Sequence, residues 1–250
     1  MRKIAISLSK GGVGKTTTAV NLGHGLALAG RRVLLVDTDT QGQAGSMLGV
    51  RPAVGLAELA AGEAALDQAI VQARERLWLL AGGVSLAGLQ RMIDKQEFGG
   101  ERALSEALAA VAGQYDYVLL DSAPGWGSLT VNVLFYAEEV LAPVSLEVMT
   151  IQGLLQFIQR LQPIQKYRQE LRLRYVLPTF LDGRVKKSEE ILRQLQQYYG
   201  QEICPPIRYN VRLSEAPGYG RTIFEYDARS SGAQDYALLT ERIMQDDANP

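Results

Sequence analysis

The feature that most constrains this chain is the run KGGVGKTT at residues 10–17, which directly follows the apolar stretch of residues 3–8. Closely spaced glycines let consecutive backbone N–H groups turn toward one anion, and a helix that follows directs its positive N-terminal dipole at the same point. In such a phosphate-binding loop, Lys15 reaches the β- and γ-phosphates and the Thr16 hydroxyl binds Mg²⁺. The sequence therefore predicts a nucleoside triphosphate with Mg²⁺ as its ligands.

The loop departs from the common pattern G-x4-GK-[ST] at its first position, where this chain has Ser9, and it adds Lys10 before two glycines. With this lysine the run resembles the deviant Walker A motif of the ParA/MinD superfamily of ATPases. The resemblance implies that two subunits sandwich two ATP molecules and that Lys10 contacts the partner's nucleotide, as an arginine finger does. The alternative is an ordinary solvated loop lysine.

Composition excludes several other classes of protein. The net charge of −1 gives no global signal for nucleic acid, and no uncharged apolar run approaches the ~18 residues of a membrane span. The phosphate loop begins too early to leave room for a signal peptide, so we expect a cytoplasmic protein. A single cysteine, Cys204, cannot form an intrachain disulfide and is expected to be a buried thiol, and a single histidine, His24, cannot build a metal site.

Strand-like runs alternate with helical patterns, which is typical of a mostly parallel, twisted sheet with helices on both faces. The predicted strands are residues 3–8, 32–36, 77–80, 117–120, 139–143 and 173–178, and the predicted helices are residues 15–29, 104–112, 130–137, 154–167, 187–199 and 233–245. The alanine-rich residues 51–74 are interpreted as a helical lobe at the sheet edge. No linker or repeat divides the chain, so we predict one α/β domain of the P-loop NTPase fold over residues 1–250.

Carboxylates follow two of the predicted strands, where ligands of open α/β sheets collect. Asp37 and Asp39 end the second strand, in DTDTQGQ, and Asp121 ends the strand YVLL. The first segment resembles the family's DxDPQGN, which implies hydrolysis for Asp39 and metal binding for Asp37; Thr40 and Gln43 depart from that pattern and leave the stiffness of the loop open. Asp121 has the Walker B arrangement, which supports Mg²⁺. Two aspartates that merely cap a strand end are the alternative.

The loop after Asp121 departs from the family's DxPPS at Ala123 and Gly125, and its Trp126 is either a dimer-interface anchor or a core residue. The resemblance places the adenine base near Thr179, with a second candidate in residues 207–217, which are similar to the family's IPRNVRLSEAP. There Arg208 and Tyr209 stand where proline and arginine are usual. The base contacts of this chain are therefore expected to differ from those of the family.

The predicted site is summarised in three groups. The catalytic residues are Lys10, Lys15 and Asp39. The metal-binding residues are Thr16, Asp37 and Asp121. The residues that bind the ATP cofactor are Lys10, Gly11, Gly12, Val13, Gly14, Lys15, Thr16, Thr17, Thr179, Arg208 and Asn210.

Nine basic residues against four acidic ones lie between Arg160 and Arg193, which makes this the local basic region of a near-neutral chain. Such a region suffices for binding DNA without sequence preference, because phosphate contacts provide most of that affinity. The family resemblance narrows the DNA-binding residues to Arg184 and Arg212, with Lys186 and Lys187 beside the first. A solvated face with ordinary ion pairs is the alternative.

The resemblance extends over residues 3–245 and implies a ParA/Soj-type partition ATPase. Such a protein dimerises with ATP, holds nonspecific double-stranded DNA at the nucleoid, and is stimulated by a ParB-like partner that carries chromosome, plasmid or other cargo. One alternative is a MinD-like membrane switch, although the terminal residues 244–250 are acidic and short. The other is an ATP-dependent small-molecule ligase or kinase on the same fold.

Overall fold

The computed structural model describes residues 1–248 as an α/β structure around a single sheet. Seven strands lie in the order β3-β4-β2-β5-β1-β6-β7, and all neighbours are parallel except β3 and β4. The strands are β1 Arg2–Ile6, β2 Val33–Asp37, β3 Ile70–Arg74, β4 Leu77–Leu80, β5 Tyr117–Asp121, β6 Glu139–Ser145 and β7 Arg172–Thr179. The fold class predicted from the sequence is confirmed.

Helices connect the strands and cover both faces of the sheet. Those before β5 are α1 Lys15–Leu28, α2 Gln43–Leu48, α3 Leu56–Ala60, α4 Leu66–Ala69, α5 Leu86–Asp94 and α6 Ala103–Ala107. Those after β5 are α7 Ser128–Tyr136, α8 Val148–Tyr167, α9 Lys186–Tyr199, α10 Val211–Glu215, α11 Ile223–Tyr226 and α12 Ser231–Gln245. Across residues 1–248, none of these helices is long and apolar enough to cross a bilayer.

Side chains of each central strand alternate between two apolar clusters, because successive residues of a strand point to opposite faces. Ile4 and Ile6 of β1 pack in one cluster, whereas Ala5 packs in the other. Residues of α1, α2, α11 and α12 complete the first cluster, and residues of α3 to α9 complete the second. The apolar runs in the strands are therefore explained by burial on both faces.

Two predicted elements are wrong. The helical lobe expected over residues 51–74 contains only the short helices α3 and α4, and its last five residues form β3, which pairs antiparallel with β4. The helix expected over residues 104–112 ends at Ala107, and a 3-10 turn follows. The sequence pattern also did not predict α2, α5, α10 or α11. All the predicted strands and the remaining predicted helices are present, with ends shifted by at most six residues.

Cys204 is buried, as the sequence predicts, and burial raises the pKa of its thiol to about 12. His24 is also buried, in α1, where its Nδ1 lies 2.6 Å from the Thr222 hydroxyl, and burial lowers the pKa of its imidazole. Among residues 1–248, neither side chain belongs to a group of His, Cys, Asp and Glu residues that could hold a metal ion. Both residues are therefore parts of the core.

Close packing of α1 against α12 depends on Gly25. A Cβ atom at this position would collide with the Thr240 hydroxyl and touch the ring of Phe224. Gly25→Ala is therefore expected to lower the free energy of unfolding by about 1–2 kcal/mol, because overpacking outweighs the gain in helix propensity. Gly88 of α5 is the matched control, since a Cβ there meets nothing within 4 Å. Gly88→Ala should raise stability by about 0.5–1 kcal/mol in the same denaturant titration.

Candidate functional site

The phosphate loop runs from the end of β1 to the start of α1, at the centre of the sheet. Gly12 and Gly14 have φ angles of 72° and 89°, a left-handed conformation that favours glycine. Gly14 is also the N-cap of α1 and has no side chain to bond the free N–H groups of the first turn. Because these donors are left open toward the loop, the start of α1 has the geometry of an anion-binding site.

Lys15 is buried at the base of this loop, and its ammonium group donates to the carbonyl oxygen of Lys10 at 2.9 Å. Burial lowers the pKa of Lys15, whereas the charges of Asp121 and Asp39 oppose this shift. The lysine is thus held inside the loop, within the electrostatic influence of the carboxylates of Asp121 and Asp39.

Asp37 and Asp121 lie side by side in the β2–β5 ladder, and Asp121 is also paired with Ile6 at the end of β1. The two carboxylates that the sequence predicts to be neighbours are therefore brought together directly beside the phosphate loop. Both are buried. Burial raises the pKa of each carboxyl group, and the negative charge of the neighbouring aspartate raises the pKa of Asp121 further.

Asp37 and Asp121 differ in how their oxygens are satisfied. The Asp37 carboxylate accepts the backbone N–H groups of Asp39 at 2.9 Å and Ala44 at 3.1 Å. By distance and angle, neither carboxylate oxygen of Asp121 accepts a hydrogen bond within the described residues, although the Thr16 hydroxyl is close enough to lower the pKa of this carboxyl group. A buried carboxylate without a partner is costly, so its oxygens fit a cation or a water bound to one.

The donor set suits Mg²⁺ rather than a metal held by protein alone. Within residues 1–248 there is no group of three or more His, Cys, Asp or Glu side chains that could hold an ion. Mg²⁺ typically takes one or two carboxylates together with substrate phosphates and waters. Thr16, Asp37 and Asp121 provide a hydroxyl and two carboxylates at one end of the sheet, which fits that arrangement.

Asp39 is half-buried in the loop that follows β2, and the loop is held by backbone contacts. The carbonyl oxygen of Asp39 accepts N–H groups from Gly42 and Gly83, both at 3.0 Å. Gly82 approaches so closely that a Cβ atom there would lie 2.7 Å from the carbonyl oxygens of Asp37 and Asp39. Gly82 and Gly83 were not among the predicted site residues, although glycine in or near a strand is a signal for close backbone approach.

Lys10 lies on the other side of the phosphate loop, where its ammonium group is bonded within its own chain. It contacts Glu147 Oε2 at 3.0 Å and the Thr150 hydroxyl at 2.7 Å, at the start of α8. The Thr150 hydroxyl lies in turn 2.7 Å from that of Ser145. A role across a dimer interface would require Lys10 to leave Glu147 and Thr150. These two partners were not predicted from the sequence.

The segment after Asp121 lies against the phosphate loop, because the N–H of Gly125 donates to the carbonyl oxygen of Ser9 at 2.8 Å. Trp126 is half-buried. Its ring lies 5.5 Å from that of Phe157 at an angle of 74°, and the Arg160 guanidinium lies 5.8 Å from its centre. These contacts favour the core alternative for Trp126 in the described chain.

A cavity of about 280 Å³ opens beside the start of α1 and contains the residues predicted to contact the base. Thr179 lines it, but its hydroxyl donates to the carbonyl oxygen of Val13 at 3.0 Å. Arg208 lines it as well, but its guanidinium is paired with Asp235 at 2.7 Å. The Asn210 amide is used to cap α10. The cavity therefore brings these three residues together, while their side-chain polar groups are already bonded within the protein.

The basic region predicted for DNA does not form a single surface. Arg168, Arg172 and Arg174 lie around the start of β7, whereas Arg184, Lys186 and Lys187 follow its end, which is the end that carries the phosphate loop. A strand of this length separates the two groups by roughly 25 Å. Arg168 is paired with Glu170, and Arg174 with Asp246. The interpretation of residues 160–193 as one patch is therefore wrong.

The four residues predicted to bind DNA are all exposed. Arg184 forms a two-point ion pair with Asp182, at 2.9 and 2.7 Å, and remains 83% exposed. Arg212 contacts Glu215 at 2.9 Å. Lys186 and Lys187 begin α9. Surface pairs of this kind exchange readily for phosphate contacts, because they contribute little in high dielectric.

Comparison with known proteins agrees with this geometry. Residues 1–173 match a family model described as an AAA domain. The chain is 38% identical to the sporulation initiation inhibitor protein Soj of Bacillus subtilis, over 96% of this chain and 97% of that protein. It is 39% identical to the chromosome-partitioning ATPase Soj of Thermus thermophilus, over 98% of this chain and 96% of that protein.

A solved structure of cobyrinic acid a,c-diamide synthase from Mycobacterium smegmatis, with bound ATP analog and magnesium, is also similar. It is 31% identical, covers 100% of this chain and 96% of that one, and superposes with a TM-score of 0.86. This similarity supports the P-loop fold. The sequence identity to the two Soj proteins is higher and extends over nearly the full length of both chains. The chain belongs to the ParA/Soj family of P-loop ATPases.

Proposed function

We propose that this chain is an ATPase that dimerises with ATP, binds DNA without sequence preference and segregates chromosome, plasmid or other cargo with a ParB-like partner. The observation that carries its catalytic part is the pair Asp37 and Asp121, buried and in register at the strand ends beside the phosphate loop. The single ATPase domain is proposed to extend over residues 1–250. The similarity to the two Soj proteins supports this assignment, as does the ATP analog with magnesium bound in the similar solved structure.

In this proposal the backbone donors of residues 10–17 and Lys15 bind the phosphates. Thr16, Asp37 and Asp121 would hold Mg²⁺, which would supply positive charge to neutralise the phosphates. Asp39 orients the attacking water from its fixed loop. Lys10 of each protomer contributes a positive charge to the partner's site, where charge develops on the transferred group.

DNA binding is assigned to the end of the molecule that carries the ATP site. Arg184, Lys186 and Lys187 lie shortly after the end of β7. Arg212 lies in the segment that borders the cavity beside α1. A dimer joined across its ATP sites would carry each basic cluster twice. Two copies on one duplex bind far more tightly than one, which links DNA affinity to the ATP-bound dimer.

A charge reversal tests the DNA surface. Arg184→Glu is expected to weaken binding to random duplex DNA by about tenfold or more at low salt, and less at high salt, because phosphate contacts are salt-dependent. Gel shifts with ATP, ADP and no nucleotide at two salt concentrations measure this effect, and light scattering checks that ATP still drives dimerisation.

The matched control is Arg168→Glu, which reverses an ion-paired arginine at the opposite end of the sheet. We expect its DNA affinity to stay within about twofold of the unmodified protein. Equal losses from both substitutions would contradict the assignment of the DNA surface. Absence of any ATP-dependent DNA binding by the unmodified protein would contradict the partition function and favour a ligase or kinase on this fold.

A further inference from the structure

The cavity beside the start of α1 has few free polar side chains with which to recognise a base. It is bordered by Gly14 and Thr17 on the phosphate-loop side and by residues 179–180 and 207–214 on the other. Most of its polar side chains are bonded elsewhere in the protein, namely Thr179 to Val13, Arg208 to Asp235, Asn210 to Ser231, Ser214 to Val211 and Tyr236 to Thr18. Polar side chains thus offer little to the edges of a base.

Two aromatic side chains line the same cavity and are exposed. Phe180 is 44% exposed and Tyr209 is 57% exposed, although apolar rings of this size are usually buried. The Phe180 ring reaches the phosphate loop, because a Cβ built on Gly14 would lie 3.9 Å from Phe180 Cζ. Neither ring is used by the core.

Backbone hydrogen bonds hold together the two segments that carry these rings. The N–H of Leu181 donates to the carbonyl oxygen of Ile207 at 3.0 Å, and the N–H of Tyr209 donates to that of Leu181 at 2.9 Å. Phe180 has a φ angle of 57°, a left-handed conformation that disfavours a side chain. Such strain persists where surrounding contacts hold it, and it is often found at ligand sites.

We propose that Phe180 and Tyr209 bind the purine base of the nucleotide by stacking. The proposal rests on the proposed function, since it concerns the same ATP site. Every base has a π-face, so stacking provides affinity where side-chain hydrogen bonds to the base edge are lacking. Tyr209 stands where the family pattern has arginine. Arg208 stands where that pattern has proline, and it is paired with Asp235. Stacking on Tyr209 is therefore a property of this chain's own sequence.

Calorimetry with two ligands separates the base from the phosphates. Tyr209→Ala is expected to weaken binding of Mg²⁺-ATP by about tenfold and to leave binding of inorganic triphosphate unchanged. Tyr209→Phe keeps the ring and should retain ATP affinity. Phe180→Leu keeps an apolar side chain but removes the π-face, so a loss specific to ATP is expected again. Tyr198→Ala, at an exposed tyrosine of α9, is the matched control without effect.

The outcomes are distinct. Unchanged ATP affinity in Tyr209→Ala and Phe180→Leu would overturn the stacking proposal, as would an equal loss for ATP and triphosphate. Loss of ATP affinity in Tyr209→Phe would assign the effect to the hydroxyl and would also overturn it. If the unmodified protein bound triphosphate but gained nothing from the base of ATP, stacking would fail while the phosphate site remained. If it bound neither ligand, the proposed function itself would fail.

Discussion

Lys15→Ala is expected to weaken ATP binding by about 30-fold or more. The ammonium group of Lys15 is buried beneath the phosphate loop, so a bound phosphate would be paired with it away from water. Removing one partner of such a buried charge pair costs about 2–5 kcal/mol, because the other charge is left uncompensated. Calorimetric titration with Mg²⁺-ATP measures the change directly.

Lys166→Ala removes an exposed lysine near the end of α8 and is the control for Lys15→Ala. Its ATP affinity should equal that of the unmodified protein. The thermal midpoint of each variant without nucleotide checks that the fold is intact. A folded Lys15→Ala variant that keeps its affinity for ATP would contradict the assignment of residues 10–17 as the phosphate site.

Lys10→Ala is expected to lower kcat for ATP by about 1000-fold while ATP affinity changes little. A cation supplied by a partner subunit stabilises charge that develops only during transfer, so its loss affects turnover more than binding. In the described chain the Lys10 ammonium group is bonded to Glu147 and Thr150, and Lys15 contacts the backbone carbonyl of Lys10 rather than this ammonium group. Phosphate release and calorimetry on the same preparation measure the two effects.

Mixing two inactive variants distinguishes a role across the interface from a role within one chain. A dimer of one Lys10→Ala subunit and one Asp39→Ala subunit has one complete site if Lys10 acts on the partner's ATP, and none if it acts on its own. With random pairing, half of the dimers are mixed and each has one active site of two, so about a quarter of the original turnover should return. No recovery in a mixture that still dimerises would contradict action across the interface.

The phosphate loop and its carboxylates could be predicted because their signals are local. Apolar runs mark β1, β2 and β5, and the strand-end rule then places Asp37 and Asp121 at one edge without any contact being known. Their register in the β2–β5 ladder agrees with that expectation. This prediction does not require knowing which strands pair with each other in the sheet. A single sequence is therefore enough to make it.

Features that depend on pairing with another segment, rather than on local preference, could not be predicted. β3 is formed by residues of an alanine-rich segment whose local preference is helical, and its pairing with β4 decides its conformation. Its turn contains Arg76 at a φ angle of 58°, where glycine or asparagine would have signalled a hairpin. Arg208 illustrates the same limit, because Asp235, its partner, lies on α12, far along the chain.

The loop that carries Asp39 is held from outside by the Gly82–Gly83 segment after β4. Thr40 stands where the resembling family has proline, so the chain itself does not stiffen this loop. The N–H of Gly83 and the internal bonds to Asp37 and Asp39 do so instead. The conformational entropy of the loop is therefore lost when the protein folds rather than when a ligand arrives. Binding energy from the nucleotide then remains available for the proposed joining of two subunits.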